Sequence, residues 1–180
     1  MGYCEYVREH PEDVLNCRYH DGEYGYPLHA DRDLFERLAL EINQAGLSWT
    51  LILKRRDQLR KAYDDFDLEA VAAYRSRDKE RLLADPGVIR NRRKIEAVLE
   101  NAGRIKALYR EYGSFEGWLD AHTPRQLEEW VRLFQQTFLF TGREVTREFL
   151  VSTGYLPGAH EVTCPIYARI ATRGPAWLRK

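Results

Sequence analysis

An all-α fold is predicted for this 180-residue sequence by three observations. Apolar residues recur at helical spacing through most of the interior, residues that start and stop helices flank those stretches, and no segment sustains the alternation of a half-buried strand. At this length the chain reads as one domain over residues 1–180. Such a chain buries about 70% of the surface that its unfolded form exposes, so it needs no metal in place of a core.

After the polar run HADRD, Leu34, Phe35, Leu38, Ile42 and Ala45 recur at helix spacing, and Gly46 is a favoured stop. Ser48 is then placed to cap a second helix through WTLILKRRDQLRKAY. DLEAVAAY and SRDKERLLA read as short amphipathic helices. From Asn91 a long one follows, with Ile95, Val98, Leu99, Ile105 and Leu108 along one stripe. TPRQLEEWVRLF opens with Thr123 as cap, Pro124 at the first helical position and Gln126 three residues after the cap. The last helix follows Gly142, through REVTREFLVST. The two ends, residues 1–29 and 154–180, hold aromatics, glycines, prolines, histidines and cysteines without periodicity and read as loops.

The 28 basic and 28 acidic residues cancel, so the molecule as a whole is no polycation drawn to nucleic acid or anionic lipid. Nucleic-acid binding would have to use local patches. The candidates are KRR at 54–56, RNRRK at 90–94, and Arg169, Arg173, Arg179 and Lys180 near the end. Three cysteines, no N-terminal apolar run and no stretch long enough to span a bilayer predict a reducing, cytoplasmic setting without a membrane.

Residues 159–165 read AHEVTCP, with His160 and Cys164 four positions apart. Cys4 and His20 lie in the other aperiodic end. The four make a Cys2His2 set suited to tetrahedral zinc, with no position left for a substrate. Taken alone, the residues also fit a plainer reading of a hydrogen-bonded loop histidine and a small buried thiol. Cys17 is either a substitute ligand or a packed thiol. His10, His29 and His122 have no such partners and read as surface residues.

In order along the chain, Cys4, YHDGEYG at 19–25, LEINQAGLSW at 40–49, GVIRNRRKIEAVLENA at 87–102, FLFTG at 138–142 and HEVTC at 160–164 resemble the 3-methyladenine DNA glycosylase I family. The resemblance implies a helix-hairpin-helix base-excision fold whose termini are joined by structural Zn2+ on Cys4, His20, His160 and Cys164. It implies double-stranded DNA with alkylated bases as partner, 3-methyladenine as the base released, and a monomer. Glu41 would recognise the cationic base and assist catalysis, because a carboxylate accepts its hydrogen bonds and complements its charge. Tyr19, Trp49, Tyr6 and Tyr24 would contact the base. Tyr6 and Tyr24 stand where the family usually has tryptophan, and Asn16 lies near a common tyrosine position. A different lesion is therefore one alternative, and a non-catalytic zinc-clipped DNA-binding module another. Gly46 and Leu47, at the tip of AGLSW, would wedge the duplex. Gly142 and Arg143 would hold a phosphate at a helix start, although small hydroxyl residues are usual after that glycine. No lysine falls in the pocket motifs, which implies hydrolysis without strand cleavage.

Overall fold

The computed structural model describes residues 2–179, and all regular structure among them is helical. In order these are α1 (Tyr3–Glu9), α2 (Val14–Gly22), α3 (Asp31–Gln44), α4 (Trp49–Ala62), α5 (Leu68–Ala72), α6 (Ser76–Ala84), α7 (Arg92–Tyr112), α8 (Phe115–Ala121), α9 (Leu127–Thr137), α10 (Arg143–Ser152) and α11 (Pro165–Ala171), with 3₁₀ turns at Asp64–Phe66 and Ala176–Leu178. The all-α expectation holds, and Lys180 lies outside the described residues.

Local chemistry sets most boundaries. Ser48 caps α4 by accepting from Leu51 N at 3.3 Å, Asn91 caps α7, and Gly113, at φ +78°, closes α7 in the left-handed region. Three expectations need correction. The chain ends are not loops, because α1, α2 and α11 lie within them. These helices are only seven to nine residues long and pack against each other or the body, so periodicity had too few turns in which to appear. Thr123 does not cap α9. Its hydroxyl donates to Leu119 O and closes α8, while α9 begins later with Gln126 as cap and Glu129 accepting from Gln126 N at 2.9 Å. The reading above also left α8 unassigned.

α3 is the central helix. Every residue from Leu34 to Asn43 is buried, because α4, α5, α7, α8 and α10 surround it. Leu34, Leu38 and Ile42 join Ile95, Val98 and Ile105 of α7 in the core. A second group of aromatics, Phe115, Trp118, Trp130, Phe134, Phe138 and Phe149, packs α8, α9 and α10 together largely edge-on.

The N-terminal segment meets the C-terminal one at Gly25. Its N–H donates to Ser152 O at 2.9 Å, its φ is +84°, and a Cβ there would stand 2.6 Å from the Ala159 Cβ and 3.1 Å from Ile170 Cδ1. Only glycine satisfies both the backbone and the contact. Gly25→Ala is expected to cost about 2 kcal/mol or more, measured as a lower urea midpoint. An unchanged midpoint would show that the 158–160 segment gives way freely.

Candidate active site and metal centre

A cleft of about 450 Å³ opens where α1, α2, α3, α4 and α10 converge, lined by Tyr3, Tyr19, Tyr24, Glu41, Gln44, Trp49, Arg147, Glu148 and the 158–159 segment. Four of the five expected base-pocket residues are there: Glu41, Tyr19, Trp49 and Tyr24. Tyr19 and Trp49 pack at 5.0 Å between ring centroids with planes at 53°, forming an angled aromatic wall. Both present buried polar atoms, Tyr19 Oη and Trp49 Nε1, that have no hydrogen-bond partner among the described residues. Asn43 Oδ1 and Tyr63 Oη, away from the cleft, are likewise buried without a partner among the described residues.

Glu41 sits one turn from the end of α3, 5% exposed, and its carboxylate accepts no hydrogen bond from the described residues. Burial pushes its pKa from 4.5 up to about 8; Arg37 pulls against this and Glu148 adds to it. Arg37, one turn earlier, is 2% exposed. Its guanidinium lies 5.0 Å from the Tyr19 ring centroid, donates to Ser152 O at 3.1 Å and stands 3.5 Å from Glu23. Glu23 in turn pairs with Arg56 at 2.7 Å, and Arg56 and Arg60 share buried Glu36. Arg56, from the first basic cluster, is thus committed inside the fold.

Tyr6 is not brought to the cleft. Its hydroxyl donates to Asp13 at 2.9 Å and its ring packs on His10 and Tyr3. Tyr3 lines the cleft instead, and its hydroxyl donates to Asn16 Oδ1 at 2.9 Å. Asn16 is buried and also donates to Asp13 and Thr50, so it holds the tyrosine wall from behind. Sequence reading missed Tyr3, Gln44, Arg147 and Glu148. Neither Arg147 nor Glu148 belongs to a quoted motif, and both look like ordinary helix charges until α10 is folded against the cleft.

Cys4, His20, His160 and Cys164 form one cluster, with one ligand atom from each within 4.8 Å of the others. Sulfur-to-nitrogen separations are 3.3 Å for Cys4–His20, 3.5 Å for Cys4–His160, 3.7 Å for Cys164–His160 and 3.9 Å for Cys164–His20. Zinc with ordinary bond lengths and tetrahedral angles puts such atoms about 3.6 Å apart. The outward nitrogens are engaged. His20 Nδ1 donates to Asp21 at 2.7 Å and His160 Nε2 to Tyr24 O at 2.8 Å. Both rings therefore turn a lone pair inward, as histidine ligands do. The donor set fits a metal. Cys17 lies apart, near the His10 and Pro11 carbonyls. Of the other histidines, His29 is exposed, whereas His10 and His122 are half-buried.

The 45–48 turn carries exposed Gly46 at φ +80° and half-buried Leu47, which packs on the core. Lys94 braces it, with Nζ donating to Asn43 O at 2.7 Å and Ala45 O at 2.6 Å. Exposed Arg90, Arg92 and Arg93 lie in the segment leading to Lys94. Seven residues along α7, Asn101 clamps the 138–142 turn through Leu139 N and O, at 2.8 and 3.0 Å. That turn exposes Leu139 and Phe140, and Phe140 is held at φ +60°. Gly142 then caps α10. Arg143 pairs with Glu128 at 3.2 Å and Glu144 at 3.5 Å, so its charge is already shared.

Residues 9–137 match a family model described as methyladenine glycosylase. DNA-3-methyladenine glycosylase 1 of Escherichia coli strain K12 is 44% identical over 102 residues, 57% of this chain and 53% of that protein. The chain thus spans about half the length of the curated relatives it matches. Among solved structures, 3-methyladenine DNA glycosylase I of Staphylococcus aureus superposes with a TM-score of 0.77 at 31% identity, covering 86% of this chain and 92% of that one. A tyrosine-to-phenylalanine variant of 3-methyladenine DNA glycosylase I in complex with 3-methyladenine superposes at 0.79 and 30% identity, covering 92% and 97%. With the family model matched over most of its length, this chain belongs to the methyladenine glycosylase family.

Proposed function

We propose that this protein hydrolyses the N-glycosidic bond of 3-methyladenine in alkylated double-stranded DNA, after turning the nucleotide out of the helix. The observation that carries the reading is the cleft itself. A buried carboxylate without a hydrogen-bond partner among the described residues faces a space walled by Tyr19, Trp49, Tyr3 and Tyr24. The relatives carry the matching name, and one solved relative holds 3-methyladenine.

In DNA this base is a cation. Stacked against Tyr19 and Trp49, it offers its positive charge and N–H groups to Glu41. When the C1′–N9 bond breaks, its electron pair goes to N9, and the base departs neutral. A water oxygen then bonds to C1′, and its proton passes to Glu41 or to solvent. The leaving group is good, so Glu41 acts first in recognition. Among the described residues no lysine lines the cleft to form a Schiff base, which fits hydrolysis without strand cleavage.

DNA docking is assigned to two turns carried by α7. The 45–48 turn, with Gly46 and Leu47, enters the gap left by the base. The 138–142 turn between α9 and α10 serves as the hairpin of a helix-hairpin-helix, and backbone N–H groups after Gly142 hold a phosphate. Lys94 and Asn101 stand seven residues apart on α7, which spaces the two turns by roughly 10 Å along it. Of the basic clusters, residues 90–94 adjoin the wedge turn and are read as the DNA-facing one.

Cys4, His20, His160 and Cys164 are read as ligands of structural zinc. Bound there, zinc would offer the base no open position and would act only as a clamp. Three ligands adjoin pocket residues in sequence: Tyr3 precedes Cys4, Tyr19 precedes His20, and Ala159 precedes His160. A monomer in the reducing cytoplasm completes the reading, since free thiols there remain available to a metal.

Incubation with methylated DNA is expected to release 3-methyladenine, identified by chromatography. Glu41→Gln should slow release on the order of a hundredfold. No release by folded protein would sink the reading. Because the carboxylate is the recognising form, kcat/KM should rise with pH through about 8 in the wild type and stay flat in Glu41→Gln.

The stability effect has the opposite sign. A raised folded pKa favours the protonated acid, so the fold loses stability as pH climbs from 4.5 to about 8. Glu41→Gln should therefore raise the melting temperature at pH 9 and change it little at pH 5.

Elemental analysis should find one zinc per chain. A chelator should lower the melting temperature of the wild type and leave Cys164→Ser, already weakened, unmoved. A metal-free protein of unchanged stability would exclude the clamp.

A further inference from the structure

Glu148 is a charged cleft residue that the reading above leaves without a role. It lines the opening with Glu41, and its side chain remains 32% exposed. Tyr24 Oη donates to its Oε2 at 3.3 Å, and Arg147 pairs with its other oxygen. Adjacent residues on a helix point in different directions. For Arg147 and Glu148 to meet, both side chains must bend toward the same place, and both line the same opening.

Among the described residues, the charges facing this space are Glu41 from α3 and Arg147 and Glu148 from α10, with the neutral hydroxyls of Tyr3, Tyr19 and Tyr24 from the N-terminal elements. Arg37 lies behind Tyr19 and is held by Glu23 and Ser152 O. Once Glu41 is ionised, two carboxylates against one guanidinium leave an excess negative charge, which a neutral base does nothing to balance. A cationic base restores neutrality and gives both carboxylates a partner in a place where water is scarce. We propose that Glu148 is a second base-binding carboxylate that, together with Glu41, makes the cleft selective for cationic N-methylated purines, with Arg147 as the counter-ion it exchanges for the base. This rests on the glycosylase reading of the same cleft.

The test compares wild type with Glu148→Gln, whose amide oxygen still accepts the Tyr24 hydrogen bond, so that only the charge is lost. Equilibrium dialysis in mildly acidic buffer measures binding of 7-methylguanosine, there a cation, and of guanosine as its neutral counterpart. Single-turnover release of 3-methyladenine from DNA is measured alongside. The variant is expected to lose about tenfold for the cation and for excision, and nothing for guanosine. Glu148→Asp should recover part of the loss. An unchanged preference for the cation, or equal loss of both nucleosides, would overturn the proposal; equal loss would reduce Glu148 to a prop for Tyr24. Charge discrimination by Glu148 without excision would instead retire the glycosylase reading and leave this one standing. If neither nucleoside binds, an unslowed Glu148→Gln in the excision assay overturns the proposal, as does a wild type that neither binds nor excises.

Discussion

A helix buried on every side cannot carry a charge without giving it a partner, and α3 carries three charged side chains between Leu34 and Asn43. Much of the architecture follows from meeting that demand. Glu36 takes Arg56 and Arg60 from α4. Arg37 takes Glu23 from the end of α2, the Ser152 carbonyl from the end of α10, and the face of Tyr19. Removing one member of such a group strands the other, at about 3–5 kcal/mol. The same contacts fix where α2 and α10 lie against α3. Because α2 carries Tyr19 and α10 carries Glu148, the ion network that stabilises the centre also sets the walls of the cleft.

The four-residue Cys/His cluster does the same from outside. The tyrosine wall comes from the first 24 residues, in short helices that have little core of their own. α1 buries Cys4 and hardly anything else. Such a segment needs an external anchor, and a metal held by Cys4, His20, His160 and Cys164, as proposed above, would be one. The Tyr24 carbonyl accepts from His160, so the cluster and the cleft share a residue as well as neighbours. Gly25, pressed against Ala159, closes the same seam without room for a Cβ.

The interior helices were legible because their signals are local. Ser48 and Asn91 act on the residues next to them, and the structure has them capping α4 and α7 where expected. Thr123 and Pro124 look like a helix start, yet the threonine hydroxyl found Leu119 O first, and a later residue took over. The terminal helices escaped notice because one or two turns cannot show a period. Among the cleft residues, Tyr19, Glu41 and Trp49 were recognised through a motif, and nothing in their own chemistry separated them from core positions. Tyr3 and Tyr6 are three apart on one helix, so sequence alone could not say which would face the cleft. Asp13 decides it by taking the Tyr6 hydroxyl. Arg147 and Glu148 follow the ordinary polar pattern of a surface helix, and only the docking of α10 gives them meaning.

Glu41 is the one exception to the rule that governs α3. Arg37 lies one turn away on the same helix, near enough to lower its pKa, yet donates its hydrogen bonds elsewhere. Asn43, two residues on, donates its amide N–H to Ala39 O, while its buried Oδ1 has no partner among the described residues. A buried carboxylate without a hydrogen-bond partner among the described residues, on a helix whose other buried charges are paired, is a local violation that packing alone does not explain. Replacing it with an apolar residue would relieve the fold. Its retention makes sense if the missing partner arrives from outside and brings a positive charge, since then the cost carried by the empty protein returns as differential affinity for the right base. A neutral base would meet a largely protonated acid and gain little from it. A cation would draw the proton off and meet a carboxylate. On the proposed reading the discrimination would come from burial itself, since the desolvation that raises the Glu41 pKa is relieved only by a cationic ligand.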